Sequence, residues 1–399
     1  MNSIDFISQA QRYSAHNYEP LPIVLARGEG VWVWDVDGRQ YLDMLSSYSA
    51  LNQGHRHPKV LKALADQMAR LCLTSRAFHH DTFGPFCETV TKVCGMEQVL
   101  LMNTGAEAVE TAIKAARRWG YQQKKVENDR AEIIVCAGNF HGRTTTIVGF
   151  SSEELYRDGF GPFCPGFKMI PYDDVDALEQ AITPNTVAFL VEPIQGEAGI
   201  RVPRAGYLAA VRRICSEQNI LLMLDEIQTG FGRTGRLFCA DHEEVKPDVL
   251  IVGKALGGGC FPVSGILASR EVMKVFVPGN HGSTFGGNPL ACAVGKAAIE
   301  VVVEEKLSEN AAEMGAYLKS ELVKMNSRHV AEVRGKGLLI GVELRPESGP
   351  ARPFCEKLGQ LGVLAKETHG TIIRLAPPLV IRKDELDWAL ERIKQVLKH

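Results

Sequence analysis

Three short runs carry residue types that could do chemistry together. In Val252-Gly253-Lys254-Ala255-Leu256-Gly257-Gly258-Gly259 a lysine follows an apolar stretch and is flanked by small residues. Burial there favours its neutral form, an amine nucleophile, and the ordinary alternative is an exposed loop lysine. In Leu222-Met223-Leu224-Asp225-Glu226 acidic residues end an apolar strand. Ligands of open α/β sheets bind at the carboxyl ends of strands, so Asp225 points to that region, unless it is a buried cap. In Asn103-Thr104-Gly105-Ala106-Glu107 a glycine-containing turn opens a helical pattern, offering free N–H groups and a positive helix end to a phosphate. The alternative is a plain N-cap formed by Asn103 or Thr104. Taken together, a lysine for a Schiff base, a carboxylate for a pyridinium nitrogen and a helix start for a phosphate are the three requirements for holding pyridoxal 5'-phosphate. Asp225 would keep the ring nitrogen protonated, so that the ring accepts electrons when the substrate loses a proton. Lys254, released by exchange with the substrate amine, would shuttle that proton.

Other chemistries fit poorly. The lysine run is not a phosphate-cradling loop, because Asp248 stands where its first glycine belongs and Ala255 where Ser or Thr should bind magnesium. His55-x-His57 lies in a Gly-His-Arg-His-Pro turn, and without an HExxH or a Cys/His cluster it reads as a turn or interface pair, with no metal expected. A Ser-His-Asp hydrolase would need a GxSxG elbow, which is lacking.

These residues need a scaffold, and alternating apolar runs and amphipathic stretches predict one: an α/β fold with a mostly parallel sheet covered by helices. Strands are expected over 132–136, 187–191, 220–224, 248–252 and 263–268, and Ala106, Val109, Ile113 and Ala116 mark one helix face. Toward the carboxyl end the expectation is helices over 291–304 and 307–325, strands over 337–344 and 372–375, and a final helix with Leu386, Leu390, Ile393 and Leu397 on one stripe. The N-terminal arm, with Pro20, Pro22, Val31, Val33 and Asp37-Gly38, reads as an extended segment entering a hairpin. At 399 residues the chain exceeds one core, which predicts a large domain over 49–290, a smaller α/β domain over 291–399, and an N-terminal segment over 1–48 that serves the small domain and the site.

Composition bounds the setting. Lys and Arg number 45 against 47 Asp and Glu, a dispersed net charge of −2 that gives no support to a nucleic-acid or membrane-surface role. Ten cysteines without close paired spacing read as free thiols in a reducing compartment. The first thirteen residues lack the features of a leader, and no apolar run approaches the roughly 20 residues that span a bilayer, so a cytoplasmic location is expected.

Over nearly its whole length the sequence resembles the class III aminotransferases. The motifs run from His16-Asn17-Tyr18 through Ser46-Ser47-Tyr48-Ser49-Ala50, Asn103-Thr104-Gly105, Gly138-Asn139-Phe140-His141-Gly142-Arg143, Glu192-Pro193-Ile194-Gln195-Gly196-Glu197 and Asp225-Glu226-Ile227-Gln228. They continue with Gly253-Lys254-Ala255-Leu256, His281-Gly282-Ser283-Thr284 and Ile373-Arg374-Leu375-Ala376-Pro377-Pro378. The resemblance implies the aspartate-aminotransferase-like fold of pyridoxal-phosphate transferases, with Lys254 bonded to the cofactor, Asp225 at its ring nitrogen, Gln228 near its ring hydroxyl and Phe140 stacked on its face. Gly105 and Ala106 would hold the phosphate, with Ser283 and Thr284 reaching it from a neighbouring subunit, which makes the expected unit a homodimer with two shared sites.

The same resemblance implies ornithine as amino donor and 2-oxoglutarate as acceptor, in alternating half-reactions giving glutamate 5-semialdehyde and glutamate. Tyr18 and Arg143 would hold the distant carboxylate, Tyr48 would shape the slot, and Glu197 would mask Arg374 until the oxo acid arrives. Acetylornithine, 4-aminobutyrate or another ω-amine is the alternative donor. The Phe-His-Gly-Arg run does not separate these, and the pair Tyr18 and Tyr48 favours ornithine.

Overall fold

The strands Thr186–Val191, Leu221–Asp225 and Val249–Val252 are buried at every position, as a continuous apolar run requires when helices cover both faces of a sheet. They form the centre of a seven-stranded sheet in the computed structural model, which describes residues 1–398. Its order is Gln98–Met102, Ser264–Ala268, Val249–Val252, Leu221–Asp225, Thr186–Val191, Glu132–Cys136 and Phe167–Ile170. All neighbours are parallel except Ser264–Ala268, which runs antiparallel to both of its own.

Register decides where the chemistry gathers. Val191 pairs with Leu224, Asp225 with Ile251, Gly265 with Val252, and Ser264 with Met102. The residues that follow these strand ends therefore leave the sheet along one edge: Asn103 to Gly105, Glu192, Glu226 and Gly253 to Lys254. That is the carboxyl edge at which α/β sheets bind ligands.

The helix Gly105–Trp119 starts at this edge. Thr104 caps it by accepting from the Glu107 N–H, while the Glu107 carboxylate accepts from the N–H groups of Asn103 and Thr104. Ala108, Val109, Ala112, Ile113 and Ala116 bury its inner face under the sheet, as their spacing predicts. The expected strands agree with the observed ones to within two residues, whereas Gln98–Met102 and Phe167–Ile170 escaped notice. Both are edge strands, and each leaves part of its length exposed, so neither shows a continuous apolar run.

Two smaller sheets flank the large one. Leu25–Glu29, Trp32–Asp35 and Gln40–Asp43 form the expected hairpin, with a third strand that pairs in parallel with Val363–Leu364. The other contains Val330–Lys336, Leu339–Leu344, Ile372–Leu375 and Lys366–Thr368, all antiparallel, with Gly341 opposite Arg374. The helices Leu307–Lys324 and Lys383–Leu397 bury their apolar stripes here, and Pro289–Glu304 packs on Pro58–Met68 and Phe83–Cys94. The helix Ser3–Tyr13, capped by Asn2 and Asp5, was not expected and buries none of its residues. His55 bonds Asp43 at 2.8 Å and His57 bonds Glu305 at 3.0 Å. No helix among the described residues is long and apolar enough to cross a membrane.

Candidate active site

Lys254 begins a short turn, Lys254–Gly257, directly after the strand Val249–Val252 and Gly253. Its φ of +44° is left-handed, a conformation that costs a residue with a side chain on the order of 1–3 kcal/mol and persists only where the surroundings enforce it. Enforcement comes from behind: the Gln53 side-chain amide donates to the carbonyls of Ala255 and Ala298 at 3.0 and 3.1 Å. Among the described residues no group hydrogen-bonds to the Lys254 amine. Burial lowers its pKa and the nearby Arg374 adds to that, against the opposing charges of Glu197, Asp225 and Glu192. That direction favours the form of the amine that attacks a carbonyl.

Of the acidic pair at the next strand end, one member faces this amine and the other is structural. Glu226 turns into the fold, accepting from Thr229 and from the N–H groups of Cys239 and Ala240. Asp225 accepts from the Ile227 N–H at 3.0 Å through Oδ1, and its Oδ2 lies 2.7 Å from His141 Nδ1. Burial would lower the pKa of His141, but the hydrogen bond and charge of Asp225, helped by Glu192, raise it. The contact with His141 fixes the direction of the Asp225 carboxyl group, a support that the motif alone did not reveal.

Lys254 and Asp225 line one cavity of about 200 Å³ with Gly105, Ala106, Phe140, Gln228, Ile227 and Glu192. The donor set matches a phosphorylated pyridine aldehyde: an amine, a carboxylate for a ring nitrogen, an aromatic face, and the first turn of a helix. Thr104 does serve as the N-cap, yet Gly105 and Ala106 belong to the first turn, whose N–H groups lack partners within the helix. Gln228 Oε1 and His141 Nε2 are buried without hydrogen-bond partners. Space for Gln228 depends on Gly196, where a Cβ would come within 1.9 Å of Oε1. Pyridoxal phosphate fits these residues.

The expected substrate residues meet at the same edge. Arg374, fully buried, donates to Glu197 Oε1 at 2.8 Å and to the Gly196 carbonyl at 3.1 Å. Burial alone would raise the pKa of Glu197, but the charge and hydrogen bond of Arg374, with Lys254 and Gln228, hold it at about 2. The Tyr48 ring lies 5.1 Å from the Arg374 guanidinium. Arg143 is exposed and stacks 3.7 Å from the Tyr156 ring, which meets Phe140 edge-on, and no carboxylate among the described residues pairs with it. Tyr18, 77% exposed, stands close enough to Tyr48 to influence its hydroxyl. Tyr156 went unnoticed in the sequence, where a lone tyrosine in a short polar helix carries no signal.

Tyr48 is held in an unusual way. Ser46, Ser47, Tyr48 and Ser49 have φ of 44°, 47°, 58° and 74°, four consecutive left-handed residues without a glycine. Handedness costs L-residues roughly 1–2 kcal/mol each there. Arg233 opposes that cost: wholly buried, it donates to Ser46 Oγ and Asn52 Oδ1 and to the carbonyls of Leu338 and Pro377. Ser46 Oγ in turn donates to the Ala376 carbonyl at 2.7 Å, joining the turn to the segment that carries Arg374.

Ser283 and Thr284 lie outside the cavity lining. Ser283 Oγ accepts from Asn103 at 2.9 Å, beside the helix start, and Thr284 is exposed.

Comparison with known proteins agrees with this geometry. The family model described as Aminotransferase class-III matches residues 13–397. Ornithine aminotransferase of Brevibacillus brevis is 60% identical over 98% of this chain and 97% of its own, and that of Bacillus subtilis 59% over 100% and 98%. The solved ornithine aminotransferase of Toxoplasma gondii superposes with a TM-score of 0.98 at 46% identity, covering 99% of this chain and 94% of its own. An acetylornithine aminotransferase from Elizabethkingia anophelis gives 0.91 at 48%, covering 100% and 99%.

Proposed function

The chain belongs to the class III aminotransferases, and from that premise we propose that it transfers the δ-amino group of L-ornithine to 2-oxoglutarate, giving glutamate 5-semialdehyde and glutamate in two half-reactions. The observation that carries this reading is the Glu197–Arg374 pair beside the Lys254 amine. An uncovered arginine there would attract an α-carboxylate and present the α-amine. Covered by Glu197, it leaves the distant carboxylate of ornithine to Arg143 and Tyr18, so that the δ-end meets the lysine.

Pyridoxal phosphate, when bound, supplies the carbonyl that takes up the amino group and a protonated ring that draws electrons from the substrate carbon. Lys254 would hold it and would serve as the base that takes the proton from the δ-carbon. Asp225, steadied by His141, would keep the proton on the ring nitrogen. Phe140 would hold the ring flat, Gln228 would serve its hydroxyl, and Gly105 and Ala106 would donate N–H groups to the phosphate. Tyr48 closes the slot against Arg374. In the second half-reaction the oxo acid brings two carboxylates, one for Arg143 and one for Arg374 as Glu197 swings aside.

An amino-donor panel with 2-oxoglutarate tests the reading. Ornithine is expected to be the preferred donor and to lose its δ-amine. Faster turnover of N-acetylornithine or 4-aminobutyrate would replace ornithine with that donor, and the 48% identity to an acetylornithine enzyme makes the first comparison the decisive one.

We further propose a homodimer in which Thr284 of the partner subunit completes the phosphate site. Its exposure in the single chain, on a loop braced through Ser283 against Asn103, supports this. A hydrogen bond to a charged group contributes roughly 1.5–3 kcal/mol, so Thr284→Ala is expected to weaken cofactor binding by about ten- to a hundredfold. Equilibrium dialysis of the cofactor checks it, and undiminished affinity removes Thr284 from the site.

A further inference from the structure

Glu192 is a buried carboxylate with no Lys or Arg partner among the described residues. It follows the strand Thr186–Val191 directly, and both of its oxygens accept backbone N–H groups. Oε2 takes that of Phe140 at 2.9 Å, and Oε1 takes that of Gly196 at 3.4 Å. One side chain thus spans the loop bearing the aromatic face of the cavity and the turn bearing Glu197.

The two segments are tied elsewhere as well. Gln195 donates to the Ala137 carbonyl at 2.8 Å, and the Tyr172 hydroxyl bonds the carbonyls of Glu192 and Pro193 at 3.2 and 2.9 Å. The start of the turn is therefore rigid. Beyond Gln195 the turn rests on the Gly196 N–H on Glu192, the Gly196 carbonyl on Arg374 and on the Ile200 N–H at 3.3 Å, the Glu197 carboxylate on Arg374 and Gln228, and the Glu197 carbonyl on Thr368 at 2.6 Å. The Glu192 contact is the longest of them.

We propose that Glu192 is a positioning residue for substrate choice: its short bond fixes Phe140, while its long bond sets the height of Gly196 and so holds the Glu197 carboxylate over Arg374. The asymmetry has a purpose in this arrangement. Glu197 must leave Arg374 when a second carboxylate arrives, and a slack contact lets the turn move while the tight one keeps the aromatic face in place. Keeping a carboxylate there is costly, since burial, with the charge of Asp225, pushes Glu192 up to about 7 against the opposing pull of His141 and the two N–H groups. A neutral side chain would avoid that cost but could not accept two N–H bonds on two oxygens.

This inference rests on the reading of Glu197 as a mask, and the test separates the two. Glu192→Gln keeps a carbonyl for Phe140 and sets an amide NH₂ against the Gly196 N–H. Expected in the variant is an approximately tenfold rise in the ratio of glutamate to ornithine turnover, carried by KM for glutamate. Backbone hydrogen exchange in the cofactor-free protein should speed up across 195–198 and stay as it was across 139–142. Glu192→Asp, which keeps the charge but shortens the reach, is read in the same way if the first variant does not fold. A folded variant with unchanged exchange across 195–198 overturns the proposal whatever its activity. If exchange rises while wild-type protein fails to use ornithine, the proposed reaction falls and the positioning role stands.

Discussion

Lys254→Ala is expected to lose transamination by on the order of 10⁴-fold or more while retaining the fold and a weakly held cofactor. Proton transfer by a positioned group contributes about 10²–10⁴ by itself, and Lys254 is also the only amine lining the cavity. Its pKa is lowered, first by burial. Borohydride reduction of wild-type protein followed by peptide mapping checks the assignment independently of rate, since a phosphopyridoxyl group on any other lysine would refute it. Partial return of activity with a small added amine is also expected, because the missing group is a proton carrier that a diffusing amine can replace.

Glu197→Ala should act on choice more than on speed. Removing one partner of a buried pair leaves Arg374 without an anion, a penalty of roughly 3–5 kcal/mol that an incoming α-carboxylate relieves. Binding of glutamate as donor gains accordingly, and ornithine is presented by its wrong end. The glutamate-to-ornithine ratio of kcat/KM is expected to rise about a hundredfold or more, at 1.4 kcal/mol for each factor of ten. Glu197→Gln, which can still accept from Arg374 without the charge, should fall between. An unmoved ratio in a folded variant would make the pair a fixed salt bridge. The pH dependence has a definite sign. Glu197 is held at about 2, below the ordinary 4.5, so the pair's contribution is complete above about 4.5 and is lost only as pH falls toward 2. Between pH 6 and 9 the wild-type ratio should therefore owe nothing to titration of Glu197.

How far these roles were legible varies with the distance over which they act. Lys254, Asp225 and the helix start at Gly105 sit at junctions between elements, and a junction shows in a few neighbouring residues. The strand end pointed to Asp225, but the partners that turn Glu226 into the fold did not show, because they depend on where the chain turns. Arg374 and Glu197 are 177 residues apart, and only the family resemblance linked them before the fold did. His141 and Glu192 stood in recognised motifs, yet two of their partners, Asp225 and the Phe140 N–H, come from other strand ends, and the Gly196 N–H meets Glu192 only because the turn between them folds back. The left-handed run at Ser46 to Ser49 could not be foreseen, since serines give none of the warning that glycines would.

That run bears on how such a protein can change its substrate over generations. Tyr48 cannot be exchanged freely, because its backbone depends on Arg233, Asn52 and Ser46, none of which lines the cavity. Arg233 serves four acceptors from one buried point, which a lysine, with charge but no planar fork, cannot do. One wall of the slot is thus locked by residues that have nothing to gain from a new substrate. Tyr18 and Arg143 are exposed, hydrogen-bond no other part of the fold among the described residues and can be replaced one at a time at little structural cost. A shift to a donor with a different far end is open through those two residues, whereas a shift at the reacting end would need Tyr48, Arg374 and their buried support to change together.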